Sequence, residues 1–229
     1  MMNLRKGSAL LLLGALPALL AGCRDYDSRN GDGGLSNSTT GASGEVTINK
    51  MGGGIDLANA PHGATLNTMG GGIHVGNVAS FATIKTMGGE IEVDHASGPV
   101  DATTMGGGIT IGTSEGPVKA TSMGGSITVH ETGTSSQERD IRLTSKGGDI
   151  QLTVPKDFPM EVKIILAYTR TDHQYRITQH AGLDVRESDN WDNSEGTPRK
   201  YIRARGVVGS GLNHVTIETI NGNVILNQE

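Results

Sequence analysis

Apolar and polar residues alternate in short runs along the middle of the chain, and these runs recur at a fixed interval. The tripeptide Met-Gly-Gly opens a unit of 18 residues at Met51, Met69, Met87, Met105 and Met123. When Met is counted as position 1, aliphatic residues occupy positions 5 and 7 and positions 14 and 16. Such alternation is typical of a β-strand with one buried and one solvated face. Each unit is therefore predicted to hold two short strands.

Glycines mark the turns between these strands. A Gly-Gly pair precedes each position-5 isoleucine, and we expect it to supply the positive φ angles of a tight reversal. The second turn also carries turn-forming residues, such as Ser97-Gly98-Pro99. After Met123 the unit lengthens by a polar insertion, and the pattern then resumes with Lys146-Gly147-Gly148.

One such unit cannot be stable alone, because its four aliphatic side chains do not offset the entropy lost on ordering 18 residues. Stacked units bury each other's apolar surfaces and share backbone hydrogen bonds. The sequence therefore predicts an all-β, single-domain β-solenoid (β-helix-like) of stacked two-stranded 18-residue coils. We expect this domain at residues 45–229, with regular repeats in 45–154 and less regular coils in 155–229.

The less regular part is predicted to continue the solenoid to the carboxyl end. Apolar alternation predicts strands within residues 161–166, 199–205 and 215–226, and the polar segment 184–198 is predicted to be a loop outside the coils. If strand 224–226 lies at the end of the solenoid, it offers an edge to which a partner strand could add.

From Gly44 onward the chain resembles a family of bacterial adhesin-like proteins with repeated Gly-Gly-x-Ile-x-Val units. Residues 220–226, Ile-Asn-Gly-Asn-Val-Ile-Leu, are similar to the repeat's Met-Gly-Gly-x-Ile-x-Val, and members of that family close with an Asn-Gly-Asn-x-Ile-x-Leu unit. The resemblance implies a β-solenoid at the bacterial surface and brings no catalytic motif with it. The methionine at position 1 departs from the small polar residues expected there.

The first 22 residues have the zones of a secretory signal. Arg5 and Lys6 provide positive charge, and residues 10–20 form an apolar run too short to span a bilayer comfortably. Residues 20–23, Leu-Ala-Gly-Cys, resemble the lipobox of bacterial lipoproteins, which implies lipid attachment to Cys23 and cleavage before it. An ordinary signal peptide followed by an incidental cysteine is the alternative.

Residues 23–44 are polar and lack aliphatic periodicity, so we expect a flexible lipid-anchored linker between the membrane and the solenoid. Arg24, rather than aspartate, follows the cysteine. By resemblance to the sorting rules of enteric bacteria, this favours the outer membrane. The expected location is the cell envelope, with the membrane as a partner through the lipid.

Composition and motifs exclude several classes of function. The net charge of −5 argues against a nucleic-acid partner, and Cys23 is the only cysteine, so no internal disulfide is expected. The repeat lacks the recurring aspartate of calcium-binding β-rolls and the hexapeptide period of acyltransferase helices. No phosphate-binding loop or nucleophile motif is present. We therefore expect no cofactor and no enzymatic activity.

A basic stripe is the candidate ligand-binding site. Arg199, Tyr201, Arg203 and Arg205 share one face of a predicted strand, with Ile202 on the other face. Guanidinium groups bind phosphates and uronates through paired hydrogen bonds, so envelope glycans are candidate ligands, as are surface proteins. The alternative is a solvated strand face whose charges are balanced by nearby carboxylates.

Two columns of the repeat are candidate metal ligands. Asp56, His74 and Glu92 occupy position 6 of adjacent coils and point outward, although a solvated face with compensating charges is the simpler interpretation. The position-1 methionines are predicted to fill a corner of the core, because methionine packs adaptably. Thioethers also favour soft metal ions, so copper binding is the alternative.

These observations predict a lipid-anchored, non-catalytic envelope protein that presents a rigid solenoid for adhesion or ligand binding. An envelope-stress sensor that signals by protein-protein contact is one alternative. A weak glycan hydrolase or lyase is another, and a pocket with two close carboxylates would favour it.

Overall fold

The computed structural model of the chain describes residues 36–41, 44–133, 138–169, 174–194 and 196–229. The predicted signal peptide, Cys23 and most of the predicted linker lie outside the described residues. No helix in the described part of the chain has the length and apolarity needed to cross a membrane.

Short strands joined by turns make up the described ranges, and each repeat contributes two of them. The strands are β1 Ser36–Thr40, β2 Val46–Lys50, β3 Ile55–Ala60, β4 Ala64–Thr68, β5 Ile73–Val78, β6 Ala82–Thr86, β7 Ile91–Ala96, β8 Val100–Thr104, β9 Ile109–Ser114, β10 Val118–Ser122, β11 Ile127–Glu131, β12 Asp140–Ser145, β13 Ile150–Val154, β14 Met160–Thr169, β15 Ile177–Gln179, β16 Asp184–Glu187, β17 Arg199–Val208, β18 Asn213–Ile220 and β19 Val224–Gln228.

Two sheets face each other along the stack. The first has the order β1-β2-β4-β6-β8-β10-β12-β18-β14-β17-β16, and the second has the order β15-β19-β13-β11-β9-β7-β5-β3. In the regular repeats, neighbouring strands are parallel and pair each residue with the one 18 positions later, as Ile73 pairs with Ile91. Each coil therefore contributes one strand to each sheet. The predicted all-β solenoid of two-stranded coils is confirmed.

The core lies between the two sheets and consists of stacked aliphatic columns. Position 5 supplies one column, in which Ile73, Ile91 and Ile109 are at most 1% exposed. Position 16 supplies another from the opposite sheet, in which Leu66 and Ile84 are fully buried. Because identical positions stack, each side chain packs against its counterparts in the coils above and below.

The Gly-Gly pairs are needed for a different reason from the one predicted. Within the described coils, Gly53 is the only position-3 glycine with a positive φ angle, 74°. At Gly107, an added Cβ would lie 2.1 Å from the carbonyl oxygen of Gly89 in the preceding coil, and Gly89 has the same contact with Gly71. Close approach of one coil to the next, rather than a left-handed turn, therefore requires glycine at position 3.

A column of hydroxyl groups fastens each Gly-Gly turn to its neighbour. The residue before position 1 is a buried Thr or Ser whose hydroxyl donates to a position-3 carbonyl one coil earlier, as Thr104 does to Gly89 at 2.8 Å. The same Thr104 oxygen accepts a hydrogen bond from the amide of Gly107 at 3.2 Å. The equivalent donors are Thr68, Thr86, Ser122, Ser145 and Thr219.

The coils do not stack in chain order at the carboxyl end. Strand β18 lies between β12 and β14, and β19 lies between β13 and β15. The last segment of the chain thus forms the penultimate coil, while β14 and β15 form the outermost one. Residues 224–226 are paired on both sides, so the prediction that they offer a free edge is wrong.

Antiparallel strands close both ends of the first sheet. Strand β1 pairs with β2, although its residues fall in the segment 23–44 predicted to be a linker. At the other end, β17 pairs with β14 and β16 pairs with β17, so Asp184–Glu187 forms a strand where a loop was predicted. Strands β1 and β16 are polar and too short for a clear alternation, but backbone hydrogen bonding to an existing edge orders them. We call β14 to β17 the cap.

Candidate functional site

The candidate basic stripe lies on the outer face of β17. Ala204 is fully buried, and Ile202 packs partly buried against the core. Side chains alternate between the faces of a strand, so Tyr201, Arg203 and Arg205 project on the opposite side, toward solvent. The expected orientation of this strand is therefore observed.

Strand β16 places another guanidinium group beside Arg203 and Arg205. In the antiparallel pair, Arg186 lies opposite Arg203, and Asp184 lies opposite Arg205. Residues directly opposite each other project from the same face of the sheet. A groove of about 460 Å³ results, and its lining comprises Asp184, Arg186, Glu187, Ser188, Arg203 and Arg205.

Further cations continue the positive charge across the sheet. Lys163 of β14 lies opposite Arg205, and Thr216 of β18 separates Lys163 from Arg142 of β12. Both Lys163 and Arg142 are exposed. We call this set the basic surface, and its members are Arg142, Lys163, Arg186, Arg203 and Arg205. The sequence did not indicate Arg142, Lys163 or Arg186, because only the sheet pairing brings them next to β17.

Few carboxylates neutralise the basic surface. In the part of the chain that the structure describes, Arg186 is its one member within ion-pair distance of a carboxylate, with Asp184 at 2.8 Å. Arg203 instead stacks on the ring of Tyr201, with the guanidinium carbon 4.4 Å from the ring centroid. The charge is therefore available to an anionic ligand.

Arg199 differs from its predicted partners. It lies at the start of β17, where its backbone pairs with that of Asp192, and it is not part of the groove lining. The pKa of Asp192 is lowered by hydrogen bonds from Ser194 and, to a smaller extent, by the charges of Arg203 and Arg199. Arg199 thus contributes to the local field beyond the groove rather than to its walls.

Aromatic side chains cluster on the other face of the cap. The ring of Tyr168 lies 5.9 Å from that of Trp191 and 6.2 Å from that of Tyr175, and the Tyr168 hydroxyl donates to Glu187. Lys200 lies 5.8 Å above the Trp191 ring. Burial and the Glu187 carboxylate raise the pKa of Tyr168 to about 12, so the phenol stays protonated. The sequence did not indicate this cluster, because its members come from separate segments.

In the position-6 column, His74 contacts carboxylates of neighbouring coils, which is the arrangement that the compensating-charge interpretation describes. Both ring nitrogens of His74 lie 3.2 Å from carboxylates, Nδ1 from Asp56 and Nε2 from Asp94, whereas Glu92 is not a partner. These contacts raise the pKa of His74, Asp56 most strongly, against a smaller opposing effect of burial. In the described residues, no group of three His, Cys, Asp or Glu side chains is placed to hold a metal ion.

The position-1 methionines are not part of the core. Their exposed fractions are 62% for Met51, 52% for Met69, 48% for Met87, 49% for Met105 and 44% for Met123. The prediction that they fill a corner of the core is wrong, because the tight Gly-Gly turn holds position 1 outside the aliphatic columns. We call these five residues the methionine column.

The sequence also did not indicate a buried ion pair near the polar insertion. Glu131 is fully buried at a core position that Ser114 occupies in the preceding coil, and its Oε1 accepts from Arg139 at 3.3 Å. Burial raises the pKa of Glu131 to about 7, opposed by the Gly133 amide and by Arg139. This pair anchors the start of β12.

Comparison with known proteins agrees with this architecture. A family model described as Toastrack DUF4097 matches residues 36–227, from the first residue of β1 into β19. A search of curated proteins and a search of solved structures each found no match. The match covers the whole stack of coils and the cap, and on this basis the chain belongs to the Toastrack DUF4097 family.

Proposed function

We propose that the chain is a lipid-anchored, non-catalytic protein of the bacterial cell envelope that presents its solenoid for adhesion or ligand binding. Cys23 carries the lipid in this proposal, and the outer membrane is the proposed location. The basic surface binds anionic groups of envelope glycans or lipopolysaccharide.

The observation that carries the binding proposal is the juxtaposition of Arg186, Arg203 and Arg205 along one groove. Neighbouring positions across a sheet lie about 5 Å apart, and cations at that distance repel each other. Asp184, and more weakly Asp192 through Arg203, offset part of this repulsion. A phosphate or uronate would neutralise the remainder and would accept paired hydrogen bonds from the guanidinium groups. Tyr201 adds an aromatic surface of the kind that packs against sugars.

The carboxylates at the groove support a non-catalytic role. Asp184 and Glu187 are separated by three positions of one strand and therefore project from opposite faces. Asp184 is paired with Arg186, and Glu187 accepts from Tyr168. Glycoside hydrolysis needs two carboxyl groups that flank one bond, and this pair has no such arrangement. For the signalling alternative, residues 224–226 are not the free edge, because β19 is paired on both sides; β15 and β3 are the edge strands of that sheet.

The anchor is tested by the Cys23→Ser substitution in the native host. We expect this variant to lose labelling by a fatty-acid analogue and to move from the membrane fraction to the soluble fraction, because the thiol that accepts the lipid is gone. The Arg24→Asp variant is the matched control and should keep the label while changing membrane. Labelling that persists in Cys23→Ser would refute the anchor.

The binding proposal is tested with the Arg203→Ala/Arg205→Ala double variant of the full chain. We expect its affinity for lipopolysaccharide or an anionic glycan to fall by about tenfold or more, because two charge-assisted hydrogen-bonding groups are removed. Retention on immobilised ligand at low salt measures the effect, and added salt should weaken binding of the native chain.

The Lys85→Ala/Lys156→Ala variant controls for the loss of net charge by itself. It removes two positive charges, as the arginine variant does, but at exposed positions away from the groove. This control should bind like the native chain. Equal retention of the native chain and the double arginine variant would contradict the proposed site.

A further inference from the structure

The methionine column is a row of thioethers along one edge of the solenoid. At this edge consecutive coils are held in register by backbone hydrogen bonds, from the Met69 amide to the Lys50 carbonyl at 3.3 Å and from the Met123 amide to the Thr104 carbonyl at 3.2 Å. Adjacent coils lie about 4.8 Å apart, so three consecutive methionine Cα atoms span about 10 Å. Each side chain is about half exposed and free of the core.

Neither packing nor the turn explains why all five residues are methionine. The next coil has the same Gly-Gly turn with Lys146 at position 1, and the Lys146 amide donates to the Ser122 carbonyl at 3.0 Å in the same way. The exposed position 6, in contrast, changes from coil to coil, as Asp56, His74, Glu92, Thr110 and Thr128. A large apolar side chain repeated five times in solvent, where other outward positions vary, indicates a use for the side chain itself.

The chemistry of that side chain is specific. A thioether is an uncharged, polarisable sulfur donor that prefers soft cations such as Cu(I) and binds hard cations poorly. Methionine has three rotatable bonds beyond its backbone, so sulfurs on adjacent coils can converge on one ion placed between them. A stack of parallel coils supplies the preorganised spacing that a flexible peptide with several methionines lacks.

We propose that the methionine column binds a soft monovalent cation, Cu(I) or Ag(I), through the thioethers of three adjacent coils. The five methionines of the column provide three overlapping sets of three adjacent thioethers, and every set contains Met87. The site lies on the solenoid edge and uses none of the basic surface, so it is independent of the proposed glycan binding. No change in the oxidation state of the ion is part of the proposal.

The overlap of the three sets gives a sharp test with a matched control. Met87→Leu leaves only two separate pairs of thioethers, Met51 with Met69 and Met105 with Met123. Met51→Leu removes one thioether as well but leaves four in a continuous run. Both substitutions conserve the apolar surface, and both positions are exposed, so we expect both variants to fold with the native urea midpoint.

Binding is measured on the full chain with Ag(I) in chloride-free buffer and, without oxygen, with Cu(I) supplied from a colorimetric chelator. We expect Met87→Leu to weaken Ag(I) binding by about tenfold or more and Met51→Leu by about twofold or less. Equal loss in the two variants would overturn the three-thioether site in favour of independent methionines. Absence of Ag(I) and Cu(I) binding by the native chain would also overturn it and would favour an apolar contact with a partner, which leucine preserves.

Discussion

Replacing Gly107 by alanine is expected to destabilise the solenoid severely, whereas the same replacement at the adjacent Gly106 is expected to have little effect. The added methyl group at Gly107 would lie 2.1 Å from the carbonyl oxygen of Gly89 and 2.4 Å from its carbonyl carbon. Both atoms belong to backbone that is fixed by the hydrogen bond from Thr104. Neither can move without separating two coils.

The expected loss at Gly107 is about 3–5 kcal/mol in the free energy of unfolding, because overpacking against backbone also breaks ladder hydrogen bonds. At Gly106 the nearest atom to an added Cβ is the Gly88 oxygen at 3.4 Å, an ordinary contact. Alanine at Gly106 should change the free energy of unfolding by no more than about 1 kcal/mol. Any small cost of the new contact is offset because alanine lowers the conformational entropy of the unfolded chain.

Urea unfolding of the two variants measures this difference, with midpoint and slope reported together. The pair is well matched because both glycines have negative φ angles in one turn, so the two substitutions differ in stacking distance alone. Similar midpoints for Gly106→Ala and Gly107→Ala would show that the coils can separate at this turn and that the close approach is not essential.

This glycine also shows how far the sequence determines the fold. The 18-residue period and the aliphatic columns were sufficient to predict the coils, since each coil repeats the same local choices. The physical reason for Gly-Gly was mistaken, because a glycine pair in a single sequence fits either a left-handed turn or a close backbone approach. The φ angles and the distance between Gly107 and Gly89 distinguish them.

The candidate site was predictable only in part, for a related reason. Alternation in β17 is local, so the shared outer face of Tyr201, Arg203 and Arg205 could be inferred from one segment. The contribution of Arg186 depends on pairing between β16 and β17, and that of Lys163 depends on pairing with β14. No repeat period links these strands, and their register is set by tertiary pairing.

The order of the last coils was the least predictable feature, because Val224-Ile225-Leu226 has the repeat's pattern wherever it stacks. The structure places β18 and β19 between the regular coils and the cap. Strand β14 pairs only with β18 and β17, and β15 pairs only with β19, within the described sheets. The part of the basic surface on β14, β16 and β17 therefore depends on a coil formed by the end of the chain.

Ending the chain after Gly211 is accordingly expected to release the cap from the regular coils as well as to remove one coil. The deleted segment buries four aliphatic side chains, Val215, Ile217, Val224 and Leu226, each at most 1% exposed. Their burial contributes about 6–12 kcal/mol, which is comparable with the whole stability of a typical domain.

Amide hydrogen exchange should show this loss as fast exchange in β14 and β17, while β5 to β9 remain protected. The truncated chain should also fail to bind the anionic ligand. Removing only Gln228 and Glu229 is the control. It deletes the two backbone hydrogen bonds of Glu229 with Val154 and Lys156 and the Gln228 side-chain bond to the Lys156 carbonyl, and it should cost about 1–3 kcal/mol. If β14 stays protected in the long truncation, β14 has moved onto β12, and the last coil is dispensable for attachment of the cap.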